Sequence, residues 1–266
     1  MRKRLVIGSS WKMNKTRPEA RDFVIRMREA LGAFDFAMVQ SYILAPFTAL
    51  ETVGKALQEC PVELGAQDMF WEDAGAYTGE ISPVMLKELG CSIVMLGHSE
   101  RRQMFGEIDE ALNLKVLAAQ RHGIAPLLCV GETADERDAG QTDAVLGRQL
   151  AVALRGVRSD FMDRLMILYE PRWAIGQKDA APLEYIQTSH ALVRRLLAGV
   201  LNARAARRTR VVYGGSVNLT NLADVLHLPE VDGAAISRAA WDPLSFAEMI
   251  RIAGQIAPSK RELDVD

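Results

Sequence analysis

Short apolar runs recur at regular intervals along the chain, and each has the length of a buried strand. Eight such runs lie near residues Leu5–Gly8, Tyr42–Ala45, Val62–Ala66, Ile93–Leu96, Pro126–Val130, Leu165–Tyr169, Arg210–Tyr213 and Gly233–Ile236. Segments with helical periodicity lie between them, for example Pro18–Leu31, Ile108–Arg121, Leu146–Arg155, Leu183–Leu201 and Leu244–Ala253. Eight alternations of strand and helix predict a parallel sheet with right-handed crossovers. In a chain of this length they favour an α/β fold of one domain, a closed (β/α)8 barrel.

Composition supports this architecture and narrows the set of partners. The chain has 266 residues, of which 49% are hydrophobic, which is enough for one large core. A formal net charge of −2 gives no reason to expect nucleic acid or a membrane surface as a partner. We therefore predict a single barrel domain over residues 1–257 and a polar, frayed tail over residues 258–266.

The cysteines and the amino-terminal residues bear on cellular location. Cys60, Cys91 and Cys129 are odd in number and lack the spacing of a disulfide framework or a metal site. The basic stretch Met1–Arg4 precedes an apolar run, Leu5–Ile7, that is too short for the core of a signal peptide. No segment approaches the length of a membrane span. These features predict a cytoplasmic protein that binds no metal.

Polar residues follow most of the predicted strands, at the ends where barrels of this kind carry their active sites. They are Trp11-Lys12-Met13-Asn14, Gln67-Asp68, Gly97-His98-Ser99-Glu100-Arg101-Arg102, Gly131-Glu132-Thr133, Glu170 and Gly214-Gly215-Ser216. Because the carboxyl ends of the parallel strands meet on one rim of a barrel, we expect these residues to share one site.

The stretch Tyr169–Gly176 carries the clearest chemical signal. Glu170 ends a predicted strand, and Pro171 stops that strand because proline has no N–H to donate to a neighbour. Apolar residues follow at positions 173–175, in what should be an exposed loop, and Gly176 supplies a hinge. Such a loop can close over the carboxylate and exclude water, which suits the abstraction of a proton from carbon.

Seven segments together resemble the signatures of triosephosphate isomerases, in the order and spacing of that family. They are Trp11–Asn14, Gly79–Pro83, Leu96–Arg102, Phe105–Glu107, Cys129–Thr133, Glu170–Gly176 and Tyr213–Val217. The resemblance extends from about Leu5 to Ile252, and it is specific because the motifs occur together. It implies a TIM barrel that acts without a cofactor as an aldose–ketose isomerase of a small phosphorylated sugar. The implied reaction converts dihydroxyacetone phosphate to glyceraldehyde 3-phosphate through an enediolate.

The resemblance also implies three catalytic residues. Glu170 matches the base, His98 matches the electrophile that polarises the carbonyl, and Lys12 matches the cation that binds the substrate and the developing oxyanion. We expect Ser99 to cap a short helix that follows His98. The positive end of that helix would favour a neutral imidazole.

Other residues match positions around the substrate. Gly176 and Ser216 match parts of a backbone grip for phosphate, and Glu100 matches a carboxylate that would pair with Lys12 or help to move protons. Cys129 matches a cysteine behind the base, and we interpret it as a packing residue. The loop around Phe70–Gly79 matches a segment that enters a neighbouring subunit, which implies a homodimer.

Three departures from the family pattern lie near the substrate. Ser10 stands where the family usually has an asparagine that reaches the reacting oxygens. Arg172 and Gln177-Lys178-Asp179 differ from the usual residues at the two ends of the closing loop. After the eighth strand, Ser237–Trp241 replaces a pair of glycines, and Arg238 brings a guanidinium that suits phosphate.

These departures leave the substrate open. A branch of the family with similar residues at Ser10–Lys15 and Arg238–Trp241 acts in erythritol breakdown. The alternative reaction is therefore the conversion of L-erythrulose 1-phosphate to D-erythrulose 4-phosphate.

Two further classes of function compete with an isomerase. A barrel that only binds a sugar phosphate needs no base, so the presence of Lys12, His98 and Glu170 together argues against it. A metal-dependent aldolase or isomerase would need a cluster of ligands, and the sequence lacks one.

Overall fold

The computed structural model describes residues 4–177 and 179–263, and eight parallel strands close into a barrel in sequence order. The strands are β1 (Leu5–Ser10), β2 (Val39–Ala45), β3 (Glu63–Ala66), β4 (Ile93–Leu96), β5 (Ala125–Val130), β6 (Met166–Tyr169), β7 (Arg210–Tyr213) and β8 (Gly233–Ile236). Pairing of β1 with β8, from Val6 opposite Gly233 to Ser9 opposite Ile236, closes the sheet. The predicted single-domain TIM barrel is confirmed.

Eleven α-helices surround the strands in the described part of the chain. They are α1 (Arg17–Leu31), α2 (Leu50–Ala56), α3 (Pro83–Glu88), α4 (Ser99–Met104), α5 (Asp109–His122), α6 (Ala134–Asp138), α7 (Thr142–Ala153), α8 (Leu183–Val200), α9 (Ala203–Arg208), α10 (Leu222–His227) and α11 (Pro243–Leu263). The five helices named from the sequence are all present, because their long amphipathic faces gave a clear period. The longest difference at a helix start is at α7, which begins at Thr142 instead of Leu146.

The apolar residues form two layers, inside and outside the sheet. Side chains that alternate along the strands fill the barrel interior, among them Val6, Tyr42, Leu44, Leu127 and Leu168. The opposite faces of the strands pack against the helices in a larger continuous core. The barrel is therefore a filled scaffold that holds the strand ends at fixed positions on one rim.

The last helix is longer than the sequence predicts. We expected a frayed tail from residue 258, because the segment is polar and lies at the end of the chain, and proline is also a poor residue for a helix interior. Helix α11 instead continues through Pro258 to Leu263. Buried Ile256 and Ala257 precede the proline, and the Lys260 ammonium donates to the carbonyls of Leu228 and Val231. Tertiary contacts on both sides of the proline thus outweigh its local cost.

Some positions named in the sequence predictions fall outside this structure. They are residues 1–3 at the start of the predicted domain, Lys178 in the closing loop, and residues 264–266 at the end of the predicted tail. Within the described residues, none of the helices combines the length and the apolar character needed to cross a membrane.

Candidate active site

Glu170 and His98 are in direct contact at the rim of the barrel. Glu170 follows β6 and His98 lies two residues beyond β4, and both side chains are buried. The Nε2 atom of His98 lies 3.1 Å from Oε1 of Glu170, and the Ser99 backbone N–H donates to Oε2 at 3.1 Å. The structure thus brings together the predicted base and the predicted electrophile.

The residue that caps the helix after His98 differs from the predicted one. Ser99 was expected to cap the following helix, but it is the first residue of α4, and the cap is His98 itself. Its Nδ1 accepts a hydrogen bond from the Glu100 N–H at 3.2 Å. Because Nδ1 is an acceptor, the ring proton is assigned to Nε2, which faces Glu170. This tautomer gives the imidazole one N–H to donate into the site.

Lys12 is held at the opposite side of the same site by an acidic partner. Its Nζ lies 2.5 Å from Oε1 of Glu100, and Oε2 of Glu100 lies 3.5 Å from Nδ1 of His98. The backbone of Lys12 is left-handed, with φ of +52°, and Gln67 donates to its carbonyl at 2.9 Å. Non-glycine residues in this conformation are uncommon and concentrate at functional sites.

One cavity of about 570 Å³ opens over these residues. Five of the side chains or backbone positions predicted for the site line it: Lys12, Glu100, Gly176, Ser216 and Arg238. Glu170 lies directly behind the wall, because a Cβ on the lining residue Gly214 would come 2.9 Å from its Cγ. Predicted residues from five loops therefore converge on a single cavity, whereas His98 and Ser10 do not line it.

The loop after Glu170 rests against the loop that follows β7. The Ser216 hydroxyl donates to the carbonyls of Ala174 and Gln177, at 3.0 and 2.9 Å. At the other end of the loop, the Ala181 N–H donates to the Tyr213 hydroxyl at 3.2 Å. Gly176 has φ of +74°, a conformation that favours glycine. These bonds hold the backbone of Gly176 over the cavity.

Glu132 is a functional candidate whose role the sequence did not indicate. Its carboxylate is fully buried and accepts hydrogen bonds from Trp173 Nε1 at 2.9 Å, Tyr185 at 2.9 Å and Tyr169 at 3.1 Å. Burial, followed by the Glu132 charge, raises the pKa values of both tyrosines, which keeps them as donors. Glu132 thus joins the closing loop to β6 and α8.

A network of buried ion pairs lies next to the site and contacts it through α4. The Lys115 ammonium contacts Oδ1 of Asp68 at 2.7 Å and also Oε1 of Glu107. Arg101 joins the same two carboxylates, at 2.8 Å to Asp68 and 3.4 Å to Glu107. Because Arg101 lies on α4, the network helps to hold the helix that His98 caps.

Ser10 and Cys129 complete the interior of the site. Ser10 ends β1, and its buried hydroxyl has no hydrogen-bond partner in the part of the chain that the structure describes. Cys129 is buried next to Glu170, and burial together with that carboxylate raises the pKa of its thiol well above the usual value. A thiol in this environment stays protonated, in agreement with a packing role.

No group of three or more potential metal ligands occurs in the described residues. The arrangement of Glu170, His98, Glu100 and Lys12 offers a carboxylate base, an N–H donor and a cation around one small volume. Such a set can remove a proton next to a carbonyl and stabilise the oxyanion that forms.

Comparisons with known proteins give a consistent result. The chain matches a family model described as triosephosphate isomerase over residues 5–253. A protein named triosephosphate isomerase from Moorella thermoacetica is 43% identical over 248 residues, which cover 93% of this chain and 98% of that protein. An L-erythrulose-1-phosphate isomerase from Mesorhizobium japonicum is 43% identical over 246 residues, covering 92% and 95%. One with the same name from Rhizobium etli is 45% identical over 246 residues, covering 92% and 90%.

Proposed function

Because the chain belongs to the triosephosphate isomerase family, it is an aldose–ketose isomerase, and we propose that it interconverts dihydroxyacetone phosphate and glyceraldehyde 3-phosphate through an enediolate. The observation that carries the proposal is the chain of contacts that joins Glu170, His98 and Lys12 beside one cavity. His98 contacts Glu170 at 3.1 Å, Glu100 lies 3.5 Å from His98, and Lys12 pairs with Glu100 at 2.5 Å. A protein that only bound a sugar phosphate would need neither a buried base nor a donor in contact with it.

In the proposed mechanism, Glu170 removes the proton from the carbon next to the substrate carbonyl. The Nε2–H of His98 and the Lys12 ammonium stabilise the negative charge that develops on the oxygens. Glu170 then returns the proton to the neighbouring carbon, while the hydroxyl proton on the first carbon passes to the former carbonyl oxygen, so that the carbonyl group moves by one carbon. The Glu170 carboxylate accepts hydrogen bonds from the N–H groups of Ser99 and His98, and proton abstraction requires that the substrate replaces at least one of them.

The phosphate of the substrate would be bound at the other end of the cavity. Gly176, Gly215 and Ser216 line that part, and closely spaced backbone N–H groups can bind an anion. Arg238 lines the same cavity and has no ion-pair partner among the described residues. We propose that its guanidinium adds a charged contact to the phosphate.

A second substrate is supported by Ser10. Its buried hydroxyl has no hydrogen-bond partner among the described residues, and a substrate with one more hydroxylated carbon would supply one. The similarity to proteins named L-erythrulose-1-phosphate isomerase is as high as the similarity to triosephosphate isomerases. The alternative proposal is therefore conversion of L-erythrulose 1-phosphate to D-erythrulose 4-phosphate.

The deciding measurement compares kcat/KM of the purified protein for glyceraldehyde 3-phosphate and for the erythrulose phosphates. A much higher value for the triose would eliminate the four-carbon alternative, and the reverse would eliminate the first proposal. Absence of turnover with both would contradict the assignment of this cavity as the active site.

The role of Glu170 is tested by Glu170→Asp. This change withdraws the carboxylate by one methylene, so kcat should fall about a hundredfold or more with little change in the affinity for inorganic phosphate. The exposed first-turn residue of α8 gives a matched control, Glu184→Asp, which should behave as wild type. Full kcat in Glu170→Asp would show that another group is the base.

We further propose that the chain forms a homodimer through the loop around Phe70–Gly79. In this loop Phe70 stacks on Trp71 at 3.9 Å and contacts Tyr77 at 4.5 Å between ring centroids. Tyr77 is 44% exposed, so the aromatic cluster presents apolar surface that a second copy of the chain would cover. Sedimentation equilibrium should give twice the chain mass for wild type and a weaker association for Tyr77→Asp. A monomer at all concentrations would contradict this proposal.

The remaining predictions concern location and cofactors. The expected cytoplasmic location and the expected absence of a cofactor and of a metal stay predictions. The same applies to the expected absence of nucleic-acid and membrane partners.

A further inference from the structure

Trp241 lies between the substrate cavity and a second open cavity. The first cavity, of about 570 Å³, is lined by Lys12, Arg238 and Trp241 among others. The second cavity, of about 730 Å³, is lined by Lys15, Phe23 and also Trp241. Since Trp241 borders both, it forms part of the wall that limits the substrate cavity on this side.

Three hydrogen bonds fix this wall to the end of β1 and the loop that follows. The Trp241 indole N–H donates to the Ser10 carbonyl at 2.9 Å, and the Lys15 ammonium donates to the Trp241 carbonyl at 2.9 Å. The buried Ser9 hydroxyl donates to the carbonyl of Ala240 at 3.1 Å. All three acceptors are backbone carbonyls, so Trp241 is held through its own main chain as well as its ring.

Lys15 is itself held in place. Its Nζ lies 4.7 Å from the ring centroid of Phe23 and 5.4 Å from that of Trp11, within the range of cation–π contacts. Its backbone is left-handed, with φ of +75°. A lysine that is fixed by two rings and a carbonyl is a rigid support and not a solvated surface charge.

The charges around the second cavity determine what could enter it. Two basic residues, Lys15 and Arg26, line it together with three acidic residues, Glu19, Asp22 and Asp242. Arg26 is already paired with Asp22 at 3.7 Å. An acidic excess repels a phosphate dianion, whereas carboxylates and ammonium groups bind sugar hydroxyls. Space gained on this side would therefore accept hydroxylated carbons, not a second phosphate.

We propose that Trp241, held by Ser10 and Lys15, limits the carbon-chain length of the phosphorylated sugar that this isomerase accepts. The inference rests on the proposed function of the substrate cavity and adds a residue that determines specificity. Trp241 is a positioning residue in this role, because it restricts the space and takes no part in proton transfer.

The test uses two substitutions that differ in the space they leave. Trp241→Phe keeps a smaller aromatic wall and loses the hydrogen bond to Ser10, whereas Trp241→Ala opens the wall toward the second cavity. For each full-length variant, kcat/KM is measured with phosphorylated aldoses of three, four and five carbons and with the erythrulose phosphates. Inhibition constants for phosphorylated aldonates of the same three lengths give a readout of binding that is independent of turnover.

In Trp241→Ala, the ratio of kcat/KM for the five-carbon to the three-carbon substrate should rise about tenfold or more, as expected for added room in a pocket. The inhibition constants should shift in the same direction. Trp241→Phe should give a ratio between those of wild type and Trp241→Ala, because an aromatic wall remains but its hydrogen bond to Ser10 is lost. An unchanged ratio in a folded Trp241→Ala variant would overturn the proposal.

Lys15→Met provides a second route to the same answer if Trp241→Ala does not fold. The methionine keeps an apolar stem over Phe23 but removes the donor to the Trp241 carbonyl, so the five-carbon ratio should rise about threefold or more, a smaller effect than opening the wall. Lys55→Met, at an exposed lysine on α2, is the matched control and should not change the ratio. A Lys15→Met ratio equal to that of Lys55→Met would refute the role of the support. If wild type turns over none of the sugars, the proposed function fails instead.

Discussion

Gly131 is the residue at which the backbone most directly limits the position of the catalytic carboxylate. It follows β5, and a Cβ on it would lie 1.8 Å from the backbone oxygen of Glu170. Hydrogen bonds hold the segments that follow β5 and β6 in place. The Glu170 N–H donates to the Val130 carbonyl at 2.8 Å, and the Gly131 N–H donates to Gln149 at 2.9 Å. Close approach of two strand ends therefore requires glycine here.

We predict that Gly131→Ala is strongly destabilising and also impairs catalysis. The added methyl must displace the Glu170 backbone, so the free energy of unfolding should fall by about 3 kcal/mol or more. In the folded fraction, kcat should fall about a hundredfold, because the carboxylate moves relative to the substrate. Urea denaturation and steady-state kinetics measure the two effects.

Gly147→Ala is the matched control for this substitution. Gly147 lies within α7, where a Cβ would meet only the side chain of Leu196, at an ordinary contact distance of 3.5 Å. Alanine in a helix interior should raise the free energy of unfolding by about 0.5–1 kcal/mol with unchanged kcat. Equal behaviour of the two variants would mean that the close approach at Gly131 does not constrain the site.

The closing loop, residues 171–181, depends on one buried carboxylate. Glu132 accepts hydrogen bonds from Trp173 in the loop and from Tyr169 and Tyr185 outside it. In Glu132→Gln, the new amide group turns one acceptor into a donor that faces other donors. We expect a loss of stability of about 1–3 kcal/mol and a rise in KM for the sugar phosphate, because the loop loses its anchor.

The controls for Glu132→Gln separate the loop from the rest of the protein. Tyr185→Phe removes one donor and should give a smaller rise in KM, and the double variant should show less than additive effects. Glu184→Gln, next to Tyr185 but exposed, should leave KM unchanged. An unaltered KM in Glu132→Gln would show that the Trp173 hydrogen bond does not set the loop position.

The elements themselves were predictable from the sequence, whereas many contacts between them were not. The strands appear as apolar runs because both faces of a parallel barrel are buried, so β4, β7 and β8 were located to the residue. The bond from Trp241 to Ser10 joins positions 231 residues apart, and no local pattern reports it. The sequence did not predict that His98 caps α4, because serine is a more common N-cap residue than histidine. Only the folded structure shows that an imidazole nitrogen of His98 accepts the hydrogen bond.

The sequence predicted those site residues that directly follow a strand. Glu170, His98 and Lys12 follow three different strands, and the topology of a barrel alone brings them to one rim. Family resemblance assigned their roles. The supporting contacts of Glu132 and Lys115 could not be read in the same way, because a buried charge is identified by its partners and not by its own sequence position.

The stability of the whole molecule should depend on pH through a buried histidine. His190 on α8 is fully buried, with its ring 5.6 Å from that of Tyr169 and 6.0 Å from that of Tyr213, between ring centroids. Burial lowers its pKa from 6.5 to about 3, with Asp232 partly opposing the shift. The imidazole is therefore neutral in the folded protein at any pH in the physiological range.

Because the pKa of His190 is lowered on folding, the protein should lose stability as the pH falls. Above pH 6.5, the imidazole is neutral in both the folded and the unfolded chain, and its contribution to stability is fully present. As the pH falls from 6.5 toward 3, the unfolded chain binds a proton that the folded protein does not. The free energy of unfolding then falls by up to about 1.4 kcal/mol per pH unit, which amounts to about 2 kcal/mol between pH 7 and pH 5.

His190→Leu should remove this part of the pH dependence, whatever its effect on packing. Urea denaturation at a fixed protein concentration, at pH 7 and pH 5, gives the change in stability for each protein. The loss between the two pH values should be about 2 kcal/mol smaller in His190→Leu than in wild type. His227→Gln, at an exposed histidine on α10, should retain the wild-type loss. An equal loss in all three proteins would mean that His190 binds its proton equally well in the folded and unfolded chains, and that the aromatic pair around it does not exclude the charged ring.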